Sequence, residues 1–159
     1  MMQRAQSPGL PEYIDAQWRV GIVASSFHKE EVDSMVEAAR SLLVDAGIRG
    51  ENILVHYVPG SFEIPLVGHV LITEKKVDAL IGLGIIVEGE TGHARLLAEQ
   101  TARGIMDVQL REGIPFAFEV LYVQDMQFAR ARASGERNRG KEAAHAVLHS
   151  LAKLHSIRS

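Results

Sequence analysis

Four short apolar runs, separated by stretches with helical periodicity, constrain this chain more than any other feature. The runs are Val20–Ser25, Ile53–Val58, a third within Val77–Val87, and Phe116–Tyr122. In Val20–Ser25 apolar and small residues follow one another without polar alternation, which marks a strand buried on both faces. After it, Val32, Met35, Val36, Ala39, Leu42, Leu43 and Ala46 recur at three- and four-residue spacing, the pattern of an amphipathic helix. Gly47 is its natural stop. Further helices are expected from about Ile64 to Thr73, with Pro65 tolerated in the first turn, and from a cap at Thr91 to about Arg111. Two more should run from Met126 to Ala133 and from about Lys141 to Ile157. Strands alternating with helices predict an α/β fold: a three-layer sandwich whose four-stranded parallel sheet carries helices on both faces. Residues 1–17 are polar and hold Pro8, Gly9 and Pro11, so they read as an N-terminal arm before a domain spanning 18–159.

Composition narrows the possible functions. A chain of 159 residues suffices for one domain with a sizeable core. Its net charge of -3 argues against a general nucleic-acid binder. With no cysteine, disulfides, thiolate metal sites and cysteine nucleophiles are excluded. No apolar run is long enough to span a bilayer, and the first residues lack a secretory pattern. A cytoplasmic protein without membrane partners is expected.

Two segments combine a strand end, a glycine turn and a helix start with polar groups. One is Val58-Pro59-Gly60-Ser61-Phe62-Glu63-Ile64-Pro65; the other runs from Gly84 through Glu88-Gly89-Glu90-Thr91-Gly92-His93. In an open parallel sheet such turns lie at the carboxyl ends of strands, where ligands bind. The free N–H groups of a helix starting after Gly89-Glu90-Thr91 favour an anion such as phosphate. The Gly82-Leu83-Gly84 pattern is not a dinucleotide fingerprint, and no GxxxxGK[ST] loop is present.

Single residues admit two readings each. His93 suits proton transfer near neutral pH, or is a capping or surface histidine. Glu63 is a helix-start carboxylate or a ligand contact, and Phe27 packs ordinarily or stacks on a flat ligand. Arg130, Arg132, Arg137, Arg139 and Lys141 face one acid, Glu136, and form a solvated surface or an anion clamp. His145 and His149 have the spacing of a zinc pair, but no third ligand is evident, so no metal is expected.

Together these residues resemble the lumazine synthase family. The likeness runs from about Arg19 to the C-terminus. It is carried by Ser26-Phe27, Val58 to Pro65, Gly89 to His93, Pro115 to Phe118, Arg132-Ala133, and Asn138-Arg139-Gly140 with Glu142-Ala143-Ala144. The resemblance implies a flavodoxin-like fold and a transferase of riboflavin biosynthesis. Such an enzyme condenses 5-amino-6-(ribitylamino)uracil with 3,4-dihydroxy-2-butanone 4-phosphate, releases phosphate, and uses no cofactor. By position, Phe27 would stack on the pyrimidine, and Ser61, Phe62 and Glu63 would hold the ribityl chain. Ile85, Ile86 and Val87 would read the ring edge through their backbone. Glu90 and Thr91 would form the phosphate turn, and His93 would transfer protons. Phe118 and Arg132 would come from a neighbouring subunit, with Arg139 standing for a customary Lys.

The implied assembly is a homopentamer or a multiple of pentamers, including icosahedral shells, and riboflavin synthase is an implied partner. His28, Glu88, Ala94-Arg95, Glu119 and Gln127-Phe128 depart from the family pattern, and the turn before Asn138 is short by one residue. These departures bear on rate rather than fold. They leave open a catalytically weak paralogue that binds lumazine or flavin or forms a shell. A flavodoxin-like module binding a nucleotide phosphate is a third reading.

Overall fold

The computed structural model describes residues 9–89 and 92–159. Its four strands are β1 (Val20–Ser25), β2 (Ile53–Val58), β3 (Ala79–Val87) and β4 (Phe116–Val123). The helices are α1 (Lys29–Asp45), α2 (Ile64–Thr73), α3 (His93–Glu112), α4 (Met126–Arg132) and α5 (Arg139–Arg158). The strands form one parallel sheet in the order β2-β1-β3-β4. This is the expected three-layer α/β sandwich.

The continuous apolar runs have their cause in this order. β1 and β3 are flanked by strands on both sides and by helices above and below, so every residue of β1 is buried, as are all but the last of β3. On one face Ile22, Ala24, Ile81 and Leu83 pack with Met35, Ala39 and Leu43 of α1 and Ala144, Val147 and Leu148 of α5. On the other, Val23, Leu80 and Phe116 pack with Ile64 and Leu71 of α2 and Ile105 of α3. The chain leaves β1 toward β2 and then crosses back to β3 on β1's other side. The crevice at the carboxyl ends of β1 and β3 is therefore the switch point where an open sheet receives ligands.

Two close approaches depend on missing side chains. A Cβ on Gly68 would lie 2.5 Å from Phe116 Cε2, and one on Gly82 would lie 3.4 Å from Cε1 of the same ring. The ring thus fills the room a side chain at 68 would need, while at Gly82 the tighter neighbours are Ile64 and Ile105. At the start of α5, a Cβ on Gly140 would collide with the backbone carbonyl of Met35, so α5 meets α1 main chain to main chain.

Asn138, only 3% exposed, locks that crossing. Its Oδ1 accepts from Gly140 N–H at 2.7 Å and caps α5, while Nδ2 donates to Ala133 O at 2.8 Å and Ser34 O at 3.4 Å. One buried amide thereby joins α1, the end of α4 and the start of α5, with its polar atoms matched.

The end of the arm does not stand off from the body. Ile14 and Trp18 pack against the α1/α5 core, Tyr13 stacks on His155 at 4.0 Å, and Gly9 O meets His149 Nε2 at 2.6 Å. Pro8 lies outside the described residues. Among those described, no helix is long and apolar enough to cross a membrane.

Gly140→Ala should destabilise the fold by about 2 kcal/mol or more, because the obstacle is the backbone of α1 and not a side chain that can turn away. Urea unfolding of the variant beside Gly68→Ala, whose obstacle is a ring able to shift, would check this; an unchanged midpoint for Gly140→Ala would refute the close crossing.

Candidate active site

The corner after β1 is built by short-range hydrogen bonds. Ser26 N–H and Ser26 Oγ both donate to Val58 O, at 2.9 and 2.8 Å, pinning the ends of β1 and β2 together. Phe27 N–H donates to Ser25 Oγ at 3.2 Å. His28 then takes left-handed geometry (φ 52°) and starts α1 without a side-chain cap. This turn leaves the Phe27 ring 65% exposed and lying over Gly60, whose added Cβ would sit 3.5 Å from it.

Below the ring, Ser61–Glu63 forms one 3-10 turn that passes directly into α2. Ser61 is 7% exposed, and its Oγ has no hydrogen-bond partner. It nests against β3 because residue 84 is glycine; a Cβ there would strike the hydroxyl. A buried, unmatched hydroxyl costs about 1–3 kcal/mol, so its position suits a partner supplied from outside.

The β3 backbone supplies a second set of polar groups. β1 pairs with β3 only as far as Ala24 and Leu83, whereas β4 pairs with it to Val87 and Val123. Among the described residues β3 has no strand pair on its β1 side from Gly84 onward, so the N–H and C=O groups of Ile85 and Val87, which alternate away from β4, are left without a strand partner there. His93 is the first residue of α3, with Gly92 in the N-cap position expected for Thr91. Glu90 and Thr91, the expected phosphate turn, lie outside the described residues.

Phe27, Ser61, Phe62, Glu63, Ile85, Ile86 and His93 line one cleft of about 430 Å³. Ser25, His28, Pro59, Gly60 and Leu97 line it too. Leu97 lies one helical turn beyond His93, a spacing from which its place could have been read. The Val87 side chain instead packs on the α1/α5 side. Phe118, Arg132 and Arg139 line a different cleft, on the outer edge of β4, that shares no residue with the first. A roomier cleft of about 510 Å³ is lined by Gly113, Ile114 and Pro115, at the amino end of β4. That end is the wrong one for a switch-point ligand.

The basic stretch divides among several partners. Arg130 Nε lies 3.4 Å from Glu31 Oε1. Arg132 Nη1 donates to Phe128 O at 3.1 Å, and Arg139 Nη1 bonds Glu142 Oε2 at 3.2 Å. Lys141 lines another cleft, with Asp45 and His145. The His145 and His149 rings are 6.5 Å apart. Burial, and then His149, holds the His145 imidazole below its usual value. Among the described residues no three His, Cys, Asp or Glu side chains are placed to hold a metal ion.

The profile of one family, described as 6,7-dimethyl-8-ribityllumazine synthase, matches residues 17–155. The chain belongs to the 6,7-dimethyl-8-ribityllumazine synthase family. A relative of that name from Levilactobacillus brevis is 39% identical over 144 residues, which cover 90% of each chain. One from Stenotrophomonas maltophilia strain K279a is 37% identical over 140 residues, 87% of this chain and 90% of its own. Another from Ruthia magnifica is 34% identical over 148 residues, 89% of each. Within the lumazine synthase resemblance, the departures His28 and Glu119 each line one of the two clefts, while Glu88 turns its Oε1 onto Gly89 N–H at 3.2 Å.

A polar clamp on β2 steadies the Phe27 corner. Lys29 Nζ lies 2.6 Å from Asp33 Oδ2 and 4.6 Å from the Tyr57 ring centroid, and Tyr57 OH donates to Asp33 Oδ1 at 2.6 Å. The Lys29 bond, and then that of Tyr57, holds Asp33 below its usual carboxylate value. The same carboxylate pushes the Tyr57 phenol up to about 12. The Asp33 contribution is therefore present above the ordinary carboxylate value and fades as pH falls through its lowered one. The Tyr57 contribution is whole below 10 and fades as pH rises toward 12. In an ultraviolet titration of the protein's tyrosines, one phenol should ionise near 12, and Asp33→Asn should return it toward 10. An identical titration in the variant would rule the clamp out.

Proposed function

We propose that the protein is a transferase that condenses 5-amino-6-(ribitylamino)uracil with 3,4-dihydroxy-2-butanone 4-phosphate to form 6,7-dimethyl-8-ribityllumazine. The amine and ketone form an imine with loss of water, phosphate is eliminated, and ring closure releases a second water. The observation that carries this reading is the cleft itself. It joins an exposed aromatic ring, an unpaired strand edge, an unmatched buried hydroxyl and a histidine at one switch point.

Each part suits one portion of the substrates. The Phe27 face takes the flat pyrimidine, and the β3 backbone at Ile85 and Val87, turned away from β4, matches its alternating polar edge, with Ile86 lining the cleft between them. Ser61, the Phe62 segment and Glu63 suit the hydroxyls of the ribityl chain. His93, on the wall of the cleft, suits transfer of the proton that leaves one carbon and reaches the departing or condensing group. Holding two substrates together can remove on the order of 7–11 kcal/mol of a bimolecular barrier, so positioning is the larger effect. Proton transfer by a histidine contributes about 10²–10⁴-fold.

Phosphate binding falls to Glu90 and Thr91 with Arg132 and Arg139. Because the two arginines and Phe118 line a cleft apart from His93, a second copy of the chain must bring them to it. Exposed apolar side chains support such an assembly: Leu66 and Val70 on α2, Leu96 and Leu110 on α3, and Phe118 and Tyr122 on β4. A pentamer, or a multiple of pentamers, is the assembly we propose.

Lumazine formation from the two substrates, followed by absorbance, tests the function; an assembled protein that gives no product would refute it. His93→Ala should lower kcat by roughly 10²-fold or more without abolishing turnover. Arg132→Ala should chiefly raise KM for the phosphate-bearing substrate. An unchanged rate in His93→Ala would remove that residue from the mechanism.

A further inference from the structure

The outer cleft on β4, about 320 Å³, is lined by an acid as well as by Arg132 and Arg139. Side chains alternate along a strand, so Glu119 projects to the same sheet face as Ala117, Leu121 and Val123. Those three residues belong to the core that α4 and α5 cover. α4 ends at Arg132 and α5 begins at Arg139, which places both guanidinium groups beside this face.

The charges of the cleft and its border cancel. Arg132 and Arg139 supply two positive charges; Glu119, and Glu142 on Arg139, supply two negative ones. Both acids are engaged by their surroundings. Arg139 nevertheless keeps a buried Nε with no hydrogen-bond partner. The cleft thus sets two guanidinium groups suited to an oxyanion beside a carboxylate that repels one. A site that must release phosphate at every turnover gains from such a balance, since two unopposed arginines would hold the product.

We infer that Glu119 is a positioning residue that sets phosphate affinity, acting as a built-in counter-anion to Arg132 and Arg139. This rests on the proposed phosphate role of the two arginines. Its carboxylate lines the same cleft as both guanidinium groups and opposes the approach of a second anion. The residue weakens binding of the phosphate-bearing substrate and speeds departure of inorganic phosphate, without touching the bonds that change.

Calorimetric titration of the assembled protein with inorganic phosphate tests this in wild type, Glu119→Gln, Glu119→Asp and Arg132→Ala. Glu119→Gln keeps the shape and removes the charge, so it should bind phosphate more tightly by about fivefold. KM for the phosphate-bearing substrate should fall with it, while kcat does not rise. Glu119→Asp, which keeps the charge, should stay near wild type, and Arg132→Ala should bind more weakly. Equal or weaker binding by Glu119→Gln overturns the inference, as does an Arg132→Ala variant that binds like wild type. Wild-type turnover in the same samples separates the two readings. Turnover with no gain in Glu119→Gln leaves the synthase and removes the counter-anion. A gain in Glu119→Gln without turnover keeps the counter-anion and removes the synthase.

Discussion

A parallel strand with neighbours on both sides can leave neither face to water, and this constraint on β1 and β3 shapes the rest of the molecule. Their helices must cover two faces, so the chain has to reverse its direction of winding at β1. That reversal opens a crevice at the carboxyl ends, since the connections from β1 and β3 depart to opposite sides. The site is thus a by-product of core formation. The loops that carry Phe27 and His93 are placed by strands most of whose residues serve burial.

The same constraint explains which elements could be read from the chain. β1, β2 and α2 occupy the residues that apolar runs and periodicity suggest, because burial leaves its pattern directly in residue type. α1 begins at Lys29, ahead of its first apolar residue, with Glu30 and Glu31 in a first turn where the helix dipole favours carboxylates. α5 begins at Arg139 because Asn138 caps it, and that cap depends on Ala133 and Ser34. The Gly140 and Ala133 contacts are local, but Ser34 lies 104 residues away, outside any window of sequence. The strand order was likewise hidden, because any of several orders buries the same apolar runs.

The candidate site was legible where function asks for an unusual residue beside a turn. Phe27, Ser61, Glu63 and His93 stood out by type and place, and they share one cleft. Ser25 and Leu97 did not stand out, because one looks like strand and the other like helix core. Their roles follow only from geometry: one hydroxyl accepts the Phe27 amide, and one side chain closes the wall beside His93. The division of the predicted residues between two clefts was implied only by family resemblance. Nothing in the spacing of Phe118 or Arg132 says that they lie on the far side of an edge strand.

The ring of Phe116 on β4 stands in the space that Gly68 on α2 leaves empty. The two positions therefore do not drift independently. A larger residue at 68 requires the ring at 116 to shift or shrink, and a smaller residue at 116 opens a void that a side chain at 68 can fill. Divergence from this chain must pass through such paired exchanges, so these sites should vary together or stay fixed.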